Sequence, residues 1–482
     1  MPDWHMHCER YRYPSGILLG LLCLSLVVSG CKRREAEPPA EPNQETSEAV
    51  APLDPVNVAQ ADEIIALEAI PVWEVAQSVR NDFVRGSSSR CTDQRGAGVA
   101  YPEFHGDQPL FGSANLQDVR LPAGETTLLH FTLDRSSGGV GDYDRLYVDL
   151  DGDLDLTDEE PLKPMGQSPA GLLRGYAQTL QETCFACVEV PCDFGPAGVL
   201  PLELCPRLRR QQGGYATLDF IGTKVHHGKV TVADQEYDAY LGYEFVVGGR
   251  LDNSRSTLRL IPSGGDPIRW WGGDRLSAIH LLGGQFYRFS CRSTGDELYL
   301  LTYAGPLGTF ELGAGDRAVA KLEMYGSLRA KDTAVPIEDG YVNGRQTPVQ
   351  TCELPEGDYY PAYLTMTFDD LQVSVSNNYH AEGGQYRSGE PVMGIKIRED
   401  RPFVLDFSDT PEVMFVQPAK DYRVVRGDEL KVEAVLIDPG LDIMLRRLYK
   451  VPSGGNRISL DPKVVIKRVD GEVVAEGVMP FG

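Results

Sequence analysis

Residues 149–160 read DLDGDLDLTDEE, seven acids and no base in twelve positions. Carboxylates recur at Asp149, Asp151, Asp153 and Asp155; Glu160 stands at the twelfth place and apolar Leu156 at the eighth. Like charges this dense repel one another, so the stretch calls for a cation. Calcium takes about six to eight oxygens in a flexible cage, and Asp at alternate positions closed by an acid at the twelfth supplies them. Calcium in extracellular modules binds weakly and constitutively, so the expected role is structural. The plainer alternative is an acidic surface turn that orders only loosely.

The pattern resembles the calcium loops of EF-hand and dockerin modules, where an apolar eighth residue anchors the loop to the core. One position departs. The sixth place, where those loops use glycine for a left-handed turn, holds Leu154, while Gly152 stands at the fourth. Leu disfavours positive φ by ~1–2 kcal/mol, which predicts either a different bend or a reduced affinity. The preceding DRLYVDL (144–150) is β-prone. The expectation is therefore an EF-like loop on a β-scaffold, not a helix–loop–helix sensor.

A second group lies in CFACVEVPC, with Cys184, Cys187 and Cys192, followed by Cys205. Four thiolates can close a tetrahedral zinc site, and a CxxC pair can be redox-active. Outside the cytoplasm the bland alternative is disulfides or buried thiols. The spacing lacks the paired CxxC units of a zinc ribbon, which argues against zinc. After Cys31 the chain adds Cys91, Cys291 and Cys352, making seven, and an odd count leaves one thiol unpaired or intermolecular. His226–His227 read as a turn with no third ligand nearby, and His105, His130, His280 and His380 are scattered singly. Trp270–Trp271 could stack on a sugar, but adjacent strand residues face opposite ways, so one reads as core. There is no GxSxG elbow, HExxH helix, Walker loop or dinucleotide fingerprint, so no residue is assigned a catalytic role. With this many acids a distant glycosidase-type carboxylate pair remains compatible with the chain.

The elements that must carry these groups read as strands. The chain has 482 residues with 51 Gly and 33 Pro, about a sixth of the total and above the usual ~12%. That surplus favours many turns over helical bundles. Hydrophobic content of 42% excludes a disordered chain. A net charge of −24 excludes general nucleic-acid binding, because polyphosphate would be repelled. Residues 61–77, ADEIIALEAIPVWEVAQ, are the best helical candidate, interrupted by Pro71. Thereafter 126–133, 144–150, 229–247, 285–291, 297–305, 363–379, 430–437 and 463–477 read as short strands. Turns are expected at 136–142, Asp234–Gln235, STGD (293–296), Asp369–Asp370 and Asp470–Gly471.

The N-terminus reads as an address. Arg10 and Arg12 precede the apolar run Gly16–Val28, too short for the ~20 residues of a membrane span. Ser29-Gly30-Cys31 resembles the lipobox of bacterial lipoproteins, which implies cleavage before Cys31 and diacylglycerol on its thiol. Residues 32–55 are rich in Pro, Glu and Ala and read as a flexible tether. Lys32 is not the aspartate associated with inner-membrane retention, which favours the outer membrane or cell surface. LPEGDYYPAYL (354–364) resembles the closing strands of transthyretin-like sandwiches, and 411–482 resembles an immunoglobulin-like module with about six strands. YPEFHGDQPLFGS (101–113), YDRLYVDLDGDLDLTDEEPL (143–162) and SLDPKVVIKRVDGEVVAEGVMPFG (459–482) resemble an uncharacterised family of exported lipoproteins from planctomycete-type bacteria. That resemblance implies an exported β-protein with no assigned reaction, and a loop that tolerates Leu at its sixth place.

The expected layout is a signal peptide over 1–30 and a tether over 31–60. A β domain with the calcium loop (61–170) and a β domain with the cysteine group (171–305) follow. A transthyretin-like sandwich (306–410) and the immunoglobulin-like module (411–482) complete it. The fold class expected is mainly β, several sandwiches in series. The expected function is that of a lipid-anchored envelope protein facing the periplasm or the exterior. It would be stabilised by calcium, act in binding or surface architecture, and have an unidentified protein or glycan ligand. The rival is an extracytoplasmic hydrolase or carbohydrate-active protein with a site of distant acids and aromatics.

Overall fold

The structure is a computed structural model. It describes residues 4–7 and 61–482 except 125, 138–140, 167–178, 212–214, 245–246, 264–274, 316–317, 331–333, 339–340, 343–344, 377–379, 382–384, 387–392, 408–410, 418–432, 439–442, 453–455, 469 and 480–482. Cys31, the tether and Trp270–Trp271 lie outside the described residues, as does the signal segment apart from 4–7. The chain forms two compact units, residues 49–269 with 274–303, and residues 1–48 with 270–273 and 304–482. Both are mainly β, in several antiparallel sheets.

The unit formed by 49–269 and 274–303 is organised by the strand Val199–Gln211, thirteen residues long. Its first half pairs with Val188–Asp193 and its second half with Thr179–Cys184, while Ala216–Gly222 runs along its other edge. Ala216–Gly222 (ATLDFIG) is buried at every position, as a strand covered on both faces must be. Ser87–Arg90 closes that sheet. A three-stranded sheet, Leu110–Asn115, Leu128–Asp134 and Arg145–Val148, packs on it through Phe131 and Phe220, whose ring centroids lie 6.2 Å apart. Gly112 makes room for Phe131, because a Cβ there would sit 2.4 Å from the ring. Two four-stranded sheets complete the unit. One is ordered Thr257–Pro262, Gln235–Gly242, Lys224–Val232, Glu68–Pro71; the other Ile279–Leu282, Gln285–Cys291, Glu297–Thr302, Glu63–Ala66.

The helix expected over 61–77 is not formed. Glu63–Ala66 and Glu68–Pro71 are strands, followed by a 3₁₀ turn at Val72–Glu74 and one α-turn at Gln77–Arg80. The two strands serve as edges of different sheets, and Pro71, which has no N–H, ends the second one where no ladder donor is required. Position 170 is not a sheet boundary, since three strands before it pair with strands at 216–222, 224–232 and 297–302. The turns agree better. Ala233 and Asp234, with φ of 49° and 64°, make the hairpin turn one residue earlier than expected, and Asp369 (φ 53°) sits in the expected turn.

In the other unit, Leu322–Arg329, Gly357–Phe368, Leu371–Val375, Ile443–Lys450, Glu433–Asp438 and Glu412–Gln417 follow one another in a nine-stranded sheet. The pairing of Leu371–Val375 with Ile443–Lys450 crosses position 410, so 411–482 does not form a sheet of its own. The two strands of the transthyretin-like segment separate. Thr351–Pro355 pairs with Leu307–Gly313, and Gly357–Phe368 with Leu322–Arg329. Leu307–Gly313 also pairs in parallel with Phe403–Asp406.

One charge sits deep in the first of these sheets. Asp219, fully buried in Ala216–Gly222, accepts from Arg207 (2.8 Å) and Arg209 (2.6 Å) of the neighbouring strand, and Arg207 is itself 3% exposed. Removing one partner of a buried pair costs about 3–5 kcal/mol, because the other charge is left uncompensated. Asp219→Ala should therefore lower unfolding free energy in urea titrations by about that amount. Arg209→Ala, at the exposed end of the same pair, should cost much less.

Candidate metal centre

The acidic loop begins where a core strand ends. Leu146, Tyr147 and Val148 are buried, and the Asp149 N–H continues the ladder by donating to the His130 carbonyl at 2.9 Å. Leu146 and Leu162 exchange both backbone hydrogen bonds (3.1 and 2.7 Å), which closes the base of the loop. Ala100 clamps the far side, donating to Leu154 O at 2.8 Å and accepting from Leu156 N–H at 3.0 Å. Leu156 is fully buried, as its eighth place requires.

Within this frame Asp149 is completely buried and accepts from Gly152 N–H (2.7 Å) and Leu154 N–H (3.2 Å). Asp151 accepts from Asp153 N–H at 3.2 Å and Asp153 from Asp155 N–H at 2.7 Å. One carboxylate oxygen from each of Asp149, Asp151 and Asp153 lies within 4.8 Å of the others. Leu154 does take the left-handed conformation, φ 66°, and Gly152 has φ 80° with Leu121 so close that a Cβ would fall 2.6 Å from it. The loop thus bends at its sixth place as a glycine-bearing loop would, with the strain carried by a leucine.

Three of the five expected residues converge, and two do not. Asp155 turns its carboxylate to the Thr157 N–H (2.8 Å), and the Thr157 hydroxyl, then its N–H, hold the Asp155 acid below its usual range. Glu160 is exposed, while its neighbour Glu159 turns inward and accepts from Leu150 N–H at 2.7 Å. Spacing alone could not choose between adjacent glutamates; the Leu150 N–H is what Glu159 meets on turning inward.

Burial pushes the Asp149 acid up, opposed by the N–H groups of Gly152 and Leu154, with Asp151 adding to the rise and His130 opposing it. Glu159 is likewise raised, first by burial and then by Asp151, Asp158 and Asp149, against the Leu150 N–H. His130 is pushed down by burial, with Asp149 pulling it back. Among the described residues no Lys or Arg forms an ion pair with Asp149, Asp151 or Asp153. The arrangement offers oxygen atoms to a hard cation, with His130 the titratable base nearby.

The other candidates separate. Cys205 contacts the thiols of both Cys184 and Cys187, but Cys192 does not join them. It lies five residues beyond Cys187 on an extended chain, and odd spacing places it on the opposite face. None of the seven described cysteines forms a disulfide, and with Cys192 apart the four thiols do not converge. His226 and His227 lie on the strand Lys224–Val232 rather than in a turn. His227 meets Asp238 at 3.2 Å and stacks on Tyr240, and His226, half-buried, is pushed down by desolvation. His105 and His130 belong to the neighbourhood of the loop sheet, and His280 packs edge-on against Phe289. Compared with known proteins, the chain matches no family model, no curated protein and no solved structure.

Two outcomes follow for the loop. Leu154→Gly should be at least as stable as the wild type, relief of ~1–2 kcal/mol of left-handed strain offsetting the entropy of glycine, whereas Leu154→Val should be less stable in chelator. The raised acids set a pH dependence. A carboxyl raised on folding stabilises fully below its unfolded value near 4, and that contribution is lost as pH rises through the folded value. In chelator, wild-type stability relative to Asp149→Asn should therefore decline as pH rises from about 4 towards neutrality, read from thermal melts of the two proteins.

Proposed function

We propose that the protein is a lipid-anchored scaffold of the cell envelope, with calcium held by the loop Asp149–Glu159, acting in binding or surface architecture. The observation that carries the cation is Asp149. It is wholly buried, sits beside Asp151 and Asp153, and among the described residues forms no ion pair with Lys or Arg, while burial pushes its neighbour His130 towards the neutral form. An unpaired buried carboxylate is costly, so either a proton or a cation must compensate it. At neutral pH a cation serves better, because three acids converge.

Calcium suits the donors better than magnesium. It accepts many oxygens in a flexible cage, whereas magnesium demands near-octahedral geometry and gives up its waters reluctantly. In calcium loops of this length the seventh residue supplies its backbone carbonyl, which fits an Asp155 whose carboxylate is engaged by Thr157. Transition metals that prefer imidazole or thiolate have no such ligand in the trio. The anchor is supported by Ser29-Gly30-Cys31 after the apolar run and by the proline-rich segment behind it. A scaffold tethered in this way would present its sheets to a protein or glycan ligand.

Excess calcium should raise the melting temperature of the chelator-treated protein. Ligand at a hundred times its Kd adds about 2.7 kcal/mol to the stability of the folded state. Asp149→Ala and Asp153→Ala should abolish the rise, Glu160→Ala should leave it nearly intact, and magnesium at equal concentration should give a smaller one. A calcium response unchanged in Asp149→Ala would refute the site. For the anchor, Cys31→Ser should move the protein from the membrane fraction to the soluble fraction of the producing cell.

A further inference from the structure

The thiols of Cys184, Cys187 and Cys205 meet beneath the turn Val72–Phe83, away from the acidic loop. Cys184 and Cys205 are buried in a cluster with Val72, Val75, Val79, Phe83 and Ile221, and Cys187 packs at its edge, half-buried. The ladder decides which thiols can bond. Val199–Gln211 pairs with Val188–Asp193 up to Leu204↔Val188 and with Thr179–Cys184 from Arg207↔Cys184 onward. Between those pairs two residues, Cys205 and Pro206, face three, Phe185, Ala186 and Cys187, in the manner of a bulge. One step beyond Leu204↔Val188 along the ladder, Cys187 comes opposite Cys205. Cys184 pairs with Arg207 and so stands two positions along from Cys205, a diagonal relation that in a regular ladder sets Cα atoms ~7–8 Å apart, less favourable to a disulfide than the directly opposed position.

We propose that Cys187 and Cys205 form a thiol–disulfide exchange site, with Cys187 the entry thiol, Cys205 the resolving thiol and Cys184 a bystander. The Cys187 thiolate attacks one sulfur of an incoming disulfide, forming a mixed disulfide and expelling the other sulfur as a thiolate. The Cys205 sulfur then attacks the Cys187 sulfur, forming the Cys187–Cys205 bond and expelling the second thiolate. The protons of Cys187 and Cys205 pass to the two released thiolates. Two protein thiols are oxidised by two electrons, and one external disulfide is reduced to two thiols.

Exposure and environment agree with the order of events. Cys187 is the member of the trio that reaches solvent, while Cys205 is wholly buried and can meet an external disulfide only through Cys187. The Cys205 S–H, whose carbonyl contact to Phe185 is long at 3.8 Å, can turn to the Cys187 sulfur. That hydrogen bond holds Cys187 below the usual thiol range, against partial burial and the nearby Glu203 and Cys184. Cys205 is held high by the adjoining thiols and by burial, so it keeps its proton until the mixed disulfide forms. Glu203 is itself held by the Thr223 hydroxyl at 2.7 Å. By contrast, burial pushes Cys91, Cys192 and Cys352 up to about 12, which leaves them unreactive near neutral pH.

The test is oxidation of the full-length protein by excess oxidised glutathione, with free-thiol counting and peptide mapping by mass spectrometry. Wild type should lose two thiols together and yield a Cys187–Cys205 cross-linked peptide. Cys205→Ser should stop at one persistent glutathione adduct on Cys187, and Cys187→Ser should slow thiol loss at least about tenfold. Cys184→Ser and Cys192→Ser should behave as wild type. The rate should level off at a lower pH than the ~8.5 of an ordinary cysteine. Wild-type mapping needs no variant, so a misfolded mutant does not blunt the test. A Cys184–Cys205 bridge, a first adduct on any other described cysteine, or stoichiometric zinc on the trio would each overturn the proposal. None of these outcomes depends on the calcium loop.

Discussion

Burial of the strand Ala216–Gly222 governs the unit that holds both candidate sites. Every backbone polar group on a strand covered on both faces must be satisfied by its neighbours, and Val199–Gln211 and Ser87–Arg90 do this on either edge. Its one charged side chain, Asp219, is tolerated because two guanidiniums reach it from the adjacent strand. The side chains that leave this sheet then define what can pack on it. Phe220 receives Phe131 and so seats the sheet that ends in the acidic loop. Cys205, on the neighbouring long strand Val199–Gln211, lies under the turn Val72–Phe83.

The two sites use that rigidity in different ways. Around Asp149 the scaffold brings Asp151 and Asp153 close and supplies backbone N–H groups and the nearby His130, with no Lys or Arg ion pair to the trio among the described residues. Leu154 at φ 66° shows that the loop's bend is imposed by its ends: the Leu146–Leu162 bridge and the Ala100 clamp hold a residue where its own preference would not. Around Cys205 the scaffold instead brings together groups that can bond to one another. There the offset between two strand partners sets Cys184 diagonal to Cys205, with both Cys184 and Cys187 against its thiol.

Much of the architecture was legible in local pattern. Short β-prone runs bounded by turn signals marked the strands at 285–291, 297–302 and 463–468, and Asp369–Asp370 marked a turn, because β-propensity and positive-φ turns are properties of a few adjacent residues. The segment 61–77 misled for the same reason. Its composition suits a helix, but Glu63–Ala66 and Glu68–Pro71 are recruited as edges by strands some 150 to 230 residues later, a demand no local window contains. The divisions at 170 and 410 failed likewise, since the strands that cross them pair over long separations.

At the acidic loop the sequence by itself determined that Asp149, Asp151 and Asp153 would converge, because alternate residues on a tight turn share a side and seven acids without a base need a counter-charge. It also determined that Leu156 would be the anchor. Only the tertiary structure decided that Glu159 rather than Glu160 turns inward, that Leu154 bears the left-handed turn, and that Cys192 stands apart from Cys184, Cys187 and Cys205. The reason is common to all three. Which way a residue faces is set by strand register, and register is fixed by burial against distant partners rather than by spacing along the chain.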